Sequence, residues 1–286
     1  MIPAPFEYRR VSSLDEAAAL LGQDEEAKAL AGGMSLIPLL RLRMARPSTL
    51  VDIGPLRGEL AYVRREEEVV AIGALTRHHD VAASAVLRED VPLLAHVASL
   101  IGDPQVRHRG TIGGALAHAD PAGDVTAVLR TLDATIVVHG RDARREIGVD
   151  ELAVSFLETS LRPGELIAEV RIPVPPRKHG WAYTKFRRRA QDWATVAVAA
   201  IIERRDGVIS RAAVGLVNMG PTALRASSVE AALGGADGGS IPRAAELAAE
   251  GTSPVSDLSA DAAFRRHLAR VLTRRTVQEA FDRAAG

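Results

Sequence analysis

Residues 109–124 read RGTIGGALAHADPAGD, and the reading of the whole chain turns on them. Thr111, Ile112, Gly113 and Gly114 form a glycine turn with a hydroxyl residue at its edge, and after an apolar spacer come Asp120-Pro121, a loop start, and then Asp124. A second turn of the same kind lies upstream at residues 31–38, AGGMSLIP, where Ala31, Gly32, Gly33 and Ser35 are all small. Small residues let backbone N–H groups come close to an anion, as a diphosphate requires. A glycine pair alone is more often only a turn. Two such turns in one chain, each with a hydroxyl residue, suit the two ends of one extended cofactor. Neither shows the G-x-G-x-x-G spacing after a strand, and G-x-x-x-x-G-K-[ST] does not occur, so a Rossmann or P-loop reading fails.

Outward from these turns, strands and helices mix without a regular βαβ repeat. SSLDEAAALL at residues 12–21 has a Ser cap, Glu16 near the first turn and helical apolar spacing, which predicts a short helix. Short apolar, β-branched runs bounded by turn residues predict strands at 49–53, 69–72, 134–138 and 166–172, with helices at 78–84 and 91–99. PVPPRKH at 173–179 is the strongest linker candidate, because consecutive prolines preclude a helix interior or a central strand. A domain boundary is therefore expected there, dividing the chain into 1–176 and 177–286. Beyond it, strands at 181–186, 194–203 and 211–217 precede helices at 227–233, 242–249 and 261–284, an order that predicts an α+β architecture.

Composition narrows the function classes. The chain has 286 residues, 47% of them hydrophobic, enough for two or three packed units. Lys plus Arg and Asp plus Glu both number 36, so no positive field draws in nucleic acid. With zero cysteines, the chain holds no disulfide, thiolate zinc site or cysteine-ligated iron–sulfur cluster. The first ten residues carry proline and charge where a signal peptide would be apolar, and no apolar stretch reaches ~18 residues, so no transmembrane segment and a cytoplasmic location are expected. His78, His79, His96, His108 and His118 match neither H-E-x-x-H nor a facial triad, and adjacent His78 and His79 point to different faces. No metal site is assigned. No G-x-S-x-G elbow occurs, and no catalytic residue is assigned.

AGGMSLIPLLRLRMARPSTLVDI (31–53), IGALTRHHDV (72–81) and IGDPQVRHRGTIGGALAHADPAGD (101–124), in this order and spacing, resemble the FAD-binding medium subunits of the molybdenum hydroxylases, the family of aerobic carbon monoxide dehydrogenase. The flavin domain of xanthine dehydrogenase carries the same pattern. GELIAEVRIPVP (164–175) and KFRRRAQDWATVAVAA (185–200) extend the resemblance over nearly the whole chain. Linked motifs are far more specific than any one of them.

The resemblance implies an FAD-binding domain of two α/β subdomains, about 1–55 and 56–176, akin to the vanillyl-alcohol-oxidase fold. A smaller α+β domain like the C-terminal domain of the carbon monoxide dehydrogenase flavoprotein would follow. It further implies that Ala31, Gly32, Gly33, Met34 and Ser35 wrap the FAD diphosphate, and that Thr111, Ile112, Gly113 and Gly114 supply the other diphosphate and ribityl contact. Many relatives have a polar residue in place of Met34, and commonly Asn or Asp in place of Ala115. Asp124 matches an acidic residue that contacts the cofactor. Ile101 and Ile167 fall at apolar contacts to flavin or adenine, with ordinary core packing as the alternative. Lys185 matches a lysine near the flavin, against the alternative of a solvated lysine in a basic run. Trp193 matches a segment where an aromatic shields the ring, against core packing. The partners implied are a large molybdopterin-cofactor subunit and a small subunit with [2Fe-2S] clusters, assembled as a dimer of heterotrimers. Electrons would pass from the clusters through the flavin to an external acceptor. A self-contained flavoprotein oxidase and a nucleotide-binding interaction module without turnover remain as alternatives.

Overall fold

The computed structural model describes residues 2–141, 143–176 and 178–284. Three strands, β1 (Glu7–Arg10), β2 (Lys28–Leu30) and β3 (Thr49–Asp52), form a parallel sheet in the order β1-β3-β2. The helix Leu14–Gln23 crosses from β1 to β2. It starts two residues later than the sequence predicts, because Ser13 is the cap, accepting from the Glu16 N–H, while the Glu16 carboxylate accepts from the N–H of Ser12 at 2.8 Å.

A second sheet is antiparallel throughout. Its strands β4 (Val63–Glu66), β5 (Val69–Gly73), β6 (Thr135–His139) and β7 (Arg144–Gly148), with β10 (Leu166–Pro173) at the centre, run in the order β4-β5-β10-β6-β7. A small hairpin of β8 (Ala153–Ser155) and β9 (Glu158–Thr159) stands apart from it. The predicted strands at 69–72, 134–138 and 166–172 are all present. The edges β4 and β7 escape the sequence reading, since their sequences VRRE and RREIG face largely outward and carry charge, as edge strands do.

β11 (His179–Phe186), β12 (Val196–Arg205), β13 (Val208–Val217) and β14 (Leu224–Arg225) form the third sheet, antiparallel and in sequential order. The predicted linker is shorter than seven residues: Pro173 ends β10 and His179 opens β11, while Arg177 lies outside the described residues. The long helix Ala262–Arg283 packs against β11 and β12 on one face, and the helices Pro92–Ser99 and Asp124–Thr131 pack on the other. That double cover explains β12, whose first seven residues, VAVAAII, are all buried and show no alternation. Ala197, Ala199 and Ile201 turn toward a core shared with the second sheet, while Val196, Val198, Ala200 and Ile202 turn toward the long helix. The predicted helix at 242–249 is an α-turn, Ile241–Ala245, continued as a 3-10 turn, Glu246–Ala249. Among the described residues no helix is long and apolar enough to cross a membrane.

Candidate functional site

The two glycine turns lie against each other. A Cβ on Gly32 would stand 2.9 Å from the carbonyl carbon of Arg109 and from Cα of Gly110, so only glycine lets the first turn cross the start of the second. Gly33 takes φ +75°, the left-handed region, and directs the chain into the short helix Leu36–Arg41. The N–H groups of Gly32, Gly33, Met34 and Ser35 have no hydrogen-bond acceptor among the described residues. Four consecutive N–H donors on one tight turn are thereby left available to an acceptor from outside the chain. Met34 and Ile37 lie exposed on the rim.

The second turn uses its amides differently. Ile112 N–H donates to the Thr76 carbonyl at 3.0 Å and Gly113 N–H to that of Ala74 at 2.9 Å. Gly114 N–H donates to the Thr111 hydroxyl at 3.2 Å, which caps the helix Ile112–His118. These bonds fasten the turn to the chain leaving β5. Gly113 makes its close approach to the protein itself, with Ala74 where its Cβ would be, and Ile112 is a core residue at 1% exposure. Gly114 faces Ala31 across the crossing of the two turns.

Charge gathers here as well. The backbone of Arg77 pairs with that of Thr111 in an isolated antiparallel bridge. Burial, and then the guanidinium groups of Arg57 and Arg109, hold the Arg77 guanidinium below its ordinary value. Arg57 itself pairs with Asp80 at 2.9 Å. Sequence reasoning missed Arg77, although it stands in the IGALTRHHDV segment, and it quoted Arg109 without giving it a role.

The helix Ile112–His118 and the turn at 120–123 carry the chain to Asp124, at the start of the helix Asp124–Thr131. Asp124 and Lys185 are both 4% exposed at their side chains and pair at 2.7 Å. Lys185 is therefore no solvated member of the basic run. The Tyr183 hydroxyl donates to the other carboxylate oxygen of Asp124. Burial, and then the Asp124 charge, push the Tyr183 hydroxyl well above its usual value, which keeps it a proton donor. Tyr183 was also missed; its signal is its place two residues before Lys185 on β11, hence on the same face.

Trp193 sits in the loop between β11 and β12 and is 56% exposed, which excludes the core-packing alternative for it. Arg187, in the same loop, donates to the Leu100 carbonyl at 3.2 Å beside Ile101, which is half-buried against the core. Ile167 is buried in the core at 7% exposure, beside the bulge between Ile167 and Glu169 in β10. The structure thus joins residues 31–35 to 111–114, Asp124 to Lys185, and Ile101 to the Trp193 loop, and leaves Ile112 and Ile167 facing the interior.

Known proteins are similar to this chain in sequence and fold. The family model described as "FAD binding domain in molybdopterin dehydrogenase" matches residues 4–175, and that of the "CO dehydrogenase flavoprotein C-terminal domain" matches residues 181–280. The chain belongs to the molybdopterin-dehydrogenase FAD-domain family. Within that family, it is 38% identical to the carbon monoxide dehydrogenase medium chain of Hydrogenophaga pseudoflava over 100% of both chains. It is 40% identical to the 6-hydroxypseudooxynicotine dehydrogenase complex subunit alpha of Paenarthrobacter nicotinovorans, covering 99% of this chain and 97% of that one. A solved carbon monoxide dehydrogenase from Hydrogenophaga pseudoflava, described as lacking the Mo-pyranopterin moiety, superposes with a TM-score of 0.96 at 40% identity, covering 99% of each chain. Both relatives are named as parts of dehydrogenases. For a member of the FAD-domain family, the amides at 32–35, without acceptors among the described residues, fit a dinucleotide diphosphate.

Proposed function

We propose that this chain is the electron-passing medium subunit of a molybdenum hydroxylase, taking electrons from a [2Fe-2S] subunit and delivering them to an external acceptor. The observation that carries the reading is the first glycine turn: four consecutive N–H groups without acceptors among the described residues, interlocked at Arg109-Gly110 with a second glycine turn whose Thr111 pairs with the Arg77 backbone. Residues 31–35 would hold the diphosphate by backbone donation, and Thr111 with Gly114 would form the opposite wall. Asp124 fixes Lys185, whose ammonium would face the charge that builds on a reduced ring. Trp193 would shield one ring face, and Ile101 would lie alongside. When bound, FAD supplies a two-electron store that fills one electron at a time. The domain boundary is assigned to the linker between β10 and β11.

The named relatives act on carbon monoxide and on 6-hydroxypseudooxynicotine, chemically unrelated substrates, yet match this chain almost equally, at 38% and 40%. This supports a reading in which substrate choice belongs to a large molybdopterin-cofactor subunit, with this chain and the [2Fe-2S] subunit completing a heterotrimer that dimerises. A self-contained oxidase would need an acid or base free to meet its substrate. Asp124 is instead engaged with both Lys185 and Tyr183, and Lys185 with Asp124. The test is the visible spectrum of the purified chain, alone and after addition of FAD. Oxidised-flavin bands, with FAD released on denaturation, are expected; a colourless chain that takes up no added FAD refutes the proposal.

A further inference from the structure

The loop that carries Trp193 is exposed at its tip and clamped at its end. Ala194 and Thr195, which follow Trp193, are buried, and the carbonyl of each is held by a different side chain. Asn218 Nδ2 donates to the Ala194 carbonyl at 2.8 Å, and Arg265 Nη1 donates to the Thr195 carbonyl. Thr195 N–H closes the loop on the Phe186 carbonyl at 2.9 Å. The two clamps come from separate elements. Asn218 directly follows β13, and Arg265 belongs to the first turn of the long helix. Arg265 is almost wholly buried, and Asp257 accepts from its Nη2 at 2.6 Å.

Asn218 has a second contact. It takes φ +62°, a left-handed conformation that asparagine tolerates better than most residues, and this turns its backbone N–H to the Pro121 carbonyl at 2.8 Å. Pro121 lies in the turn that leads into Asp124. One residue thus grips the chain beside Trp193 with its side chain and the chain before Asp124 with its backbone.

We infer that Asn218 and Arg265 are positioning residues that hold Trp193 in place to cover one face of the flavin, with Asn218 tying that cover to the Asp124–Lys185 pair. The inference rests on the FAD reading above. A large exposed aromatic on a loop of fixed backbone is prepared to stack, because the ordering has been done before the ring arrives. Neither side chain needs to touch the cofactor, so the role is transmitted through the two carbonyls.

The chain has two tryptophans, so Trp181→Phe leaves Trp193 as the sole indole reporter. In that full-length parent, Asn218→Gly keeps the left-handed backbone and the N–H to Pro121 but deletes the side-chain donor. Arg265→Lys probes the other clamp while keeping a cation opposite Asp257. The readouts are the fluorescence anisotropy decay of Trp193 without flavin, and the emission of added FAD at saturation. Each variant should show a larger fast component in the decay and a several-fold rise in flavin emission over the parent. Trp193→Phe should raise the emission equally, and combining it with Asn218→Gly should add nothing. An unchanged decay in both variants, or flavin emission at the parent's level, overturns the inference. A freed Trp193 in the variants, beside a parent that takes up no FAD, overturns the functional reading and the flavin role of the clamp with it.

Discussion

Lys185→Met should be among the most destabilising single substitutions at the site. Its magnitude follows from the surroundings of Asp124. The lysine and the carboxylate side chains are each 4% exposed and pair at 2.7 Å, and among the described residues only the Tyr183 hydroxyl remains as a partner once the ammonium is gone. Breaking one side of a buried pair costs about 3–5 kcal/mol. A carboxylate stranded in this way has an escape, which is to take up a proton. For an ordinary aspartic acid at pH 7 that step costs about 4 kcal/mol, at ~1.36 kcal/mol for each of roughly three pH units, and this caps the penalty. At pH 5 the same step costs only about 1.5 kcal/mol. The variant should therefore lose about 3–4 kcal/mol by urea unfolding at pH 7 and less than half of that at pH 5. Pairing it with Asp124→Asn should restore much of the loss at pH 7, since no charge is then left unpaired. A loss below about 1 kcal/mol at pH 7, or one that does not shrink toward pH 5, would show that the pair is solvated and would refute the burial argument.

Two further outcomes follow from the turns. Gly33→Val puts a β-branched residue at φ +75° with its Cβ 2.6 Å from the Ile37 side chain, and Gly114→Val brings a Cβ to 2.8 Å from the Thr111 hydroxyl that caps the helix. Both should abolish FAD retention while circular dichroism keeps most of the native signal, and full flavin content in both purified variants would sink the cradle assignment. His78 is buried with its Nδ1 unpartnered, and burial pulls its imidazole down to about 4. The folded value lies below the unfolded one of 6.5, so this contribution is intact above pH ~6.5 and is lost as pH falls toward 4, by up to about 3 kcal/mol. Urea unfolding of the wild type between pH 7 and 4 should show a slope that His78→Gln lacks; equal slopes in the two proteins would be the contrary result.

What the sequence makes legible is local, and what it conceals is paired across the fold. The strand at 166–172 and the helix at 227–233 stand out because turn residues bound apolar runs of the right length. The run VAVAAII reads as a strand, yet nothing in it says that a helix covers each face. Edge strands such as Arg144–Gly148 look like loops because their pairing is backbone to backbone and their side chains face water. At the site, glycine spacing points to both turns, but not to their mutual contact, nor to the use of the Ile112 and Gly113 amides in fastening the second turn. Lys185 and three arginines share one basic segment, and only the strand period, which sets Lys185 beside Tyr183, tells the inward charge from its neighbours. Asn218 leaves no mark at all, since its role depends on a dihedral angle and on two carbonyls that are distant in sequence.

The seven-residue helix Ile112–His118 stands between the crossing of the glycine turns and the Asp124–Lys185 pair, and both of its ends are fastened to other elements. It therefore works as a ruler with a fixed phase. One residue added or removed would shift its far end by about 1.5 Å along the axis and turn it by roughly 100°. An insertion or deletion within Ile112–His118 would therefore be felt at Asp124 as a change of direction as well as of length, whereas an exchange of side chains on the helix surface would leave both ends where they are.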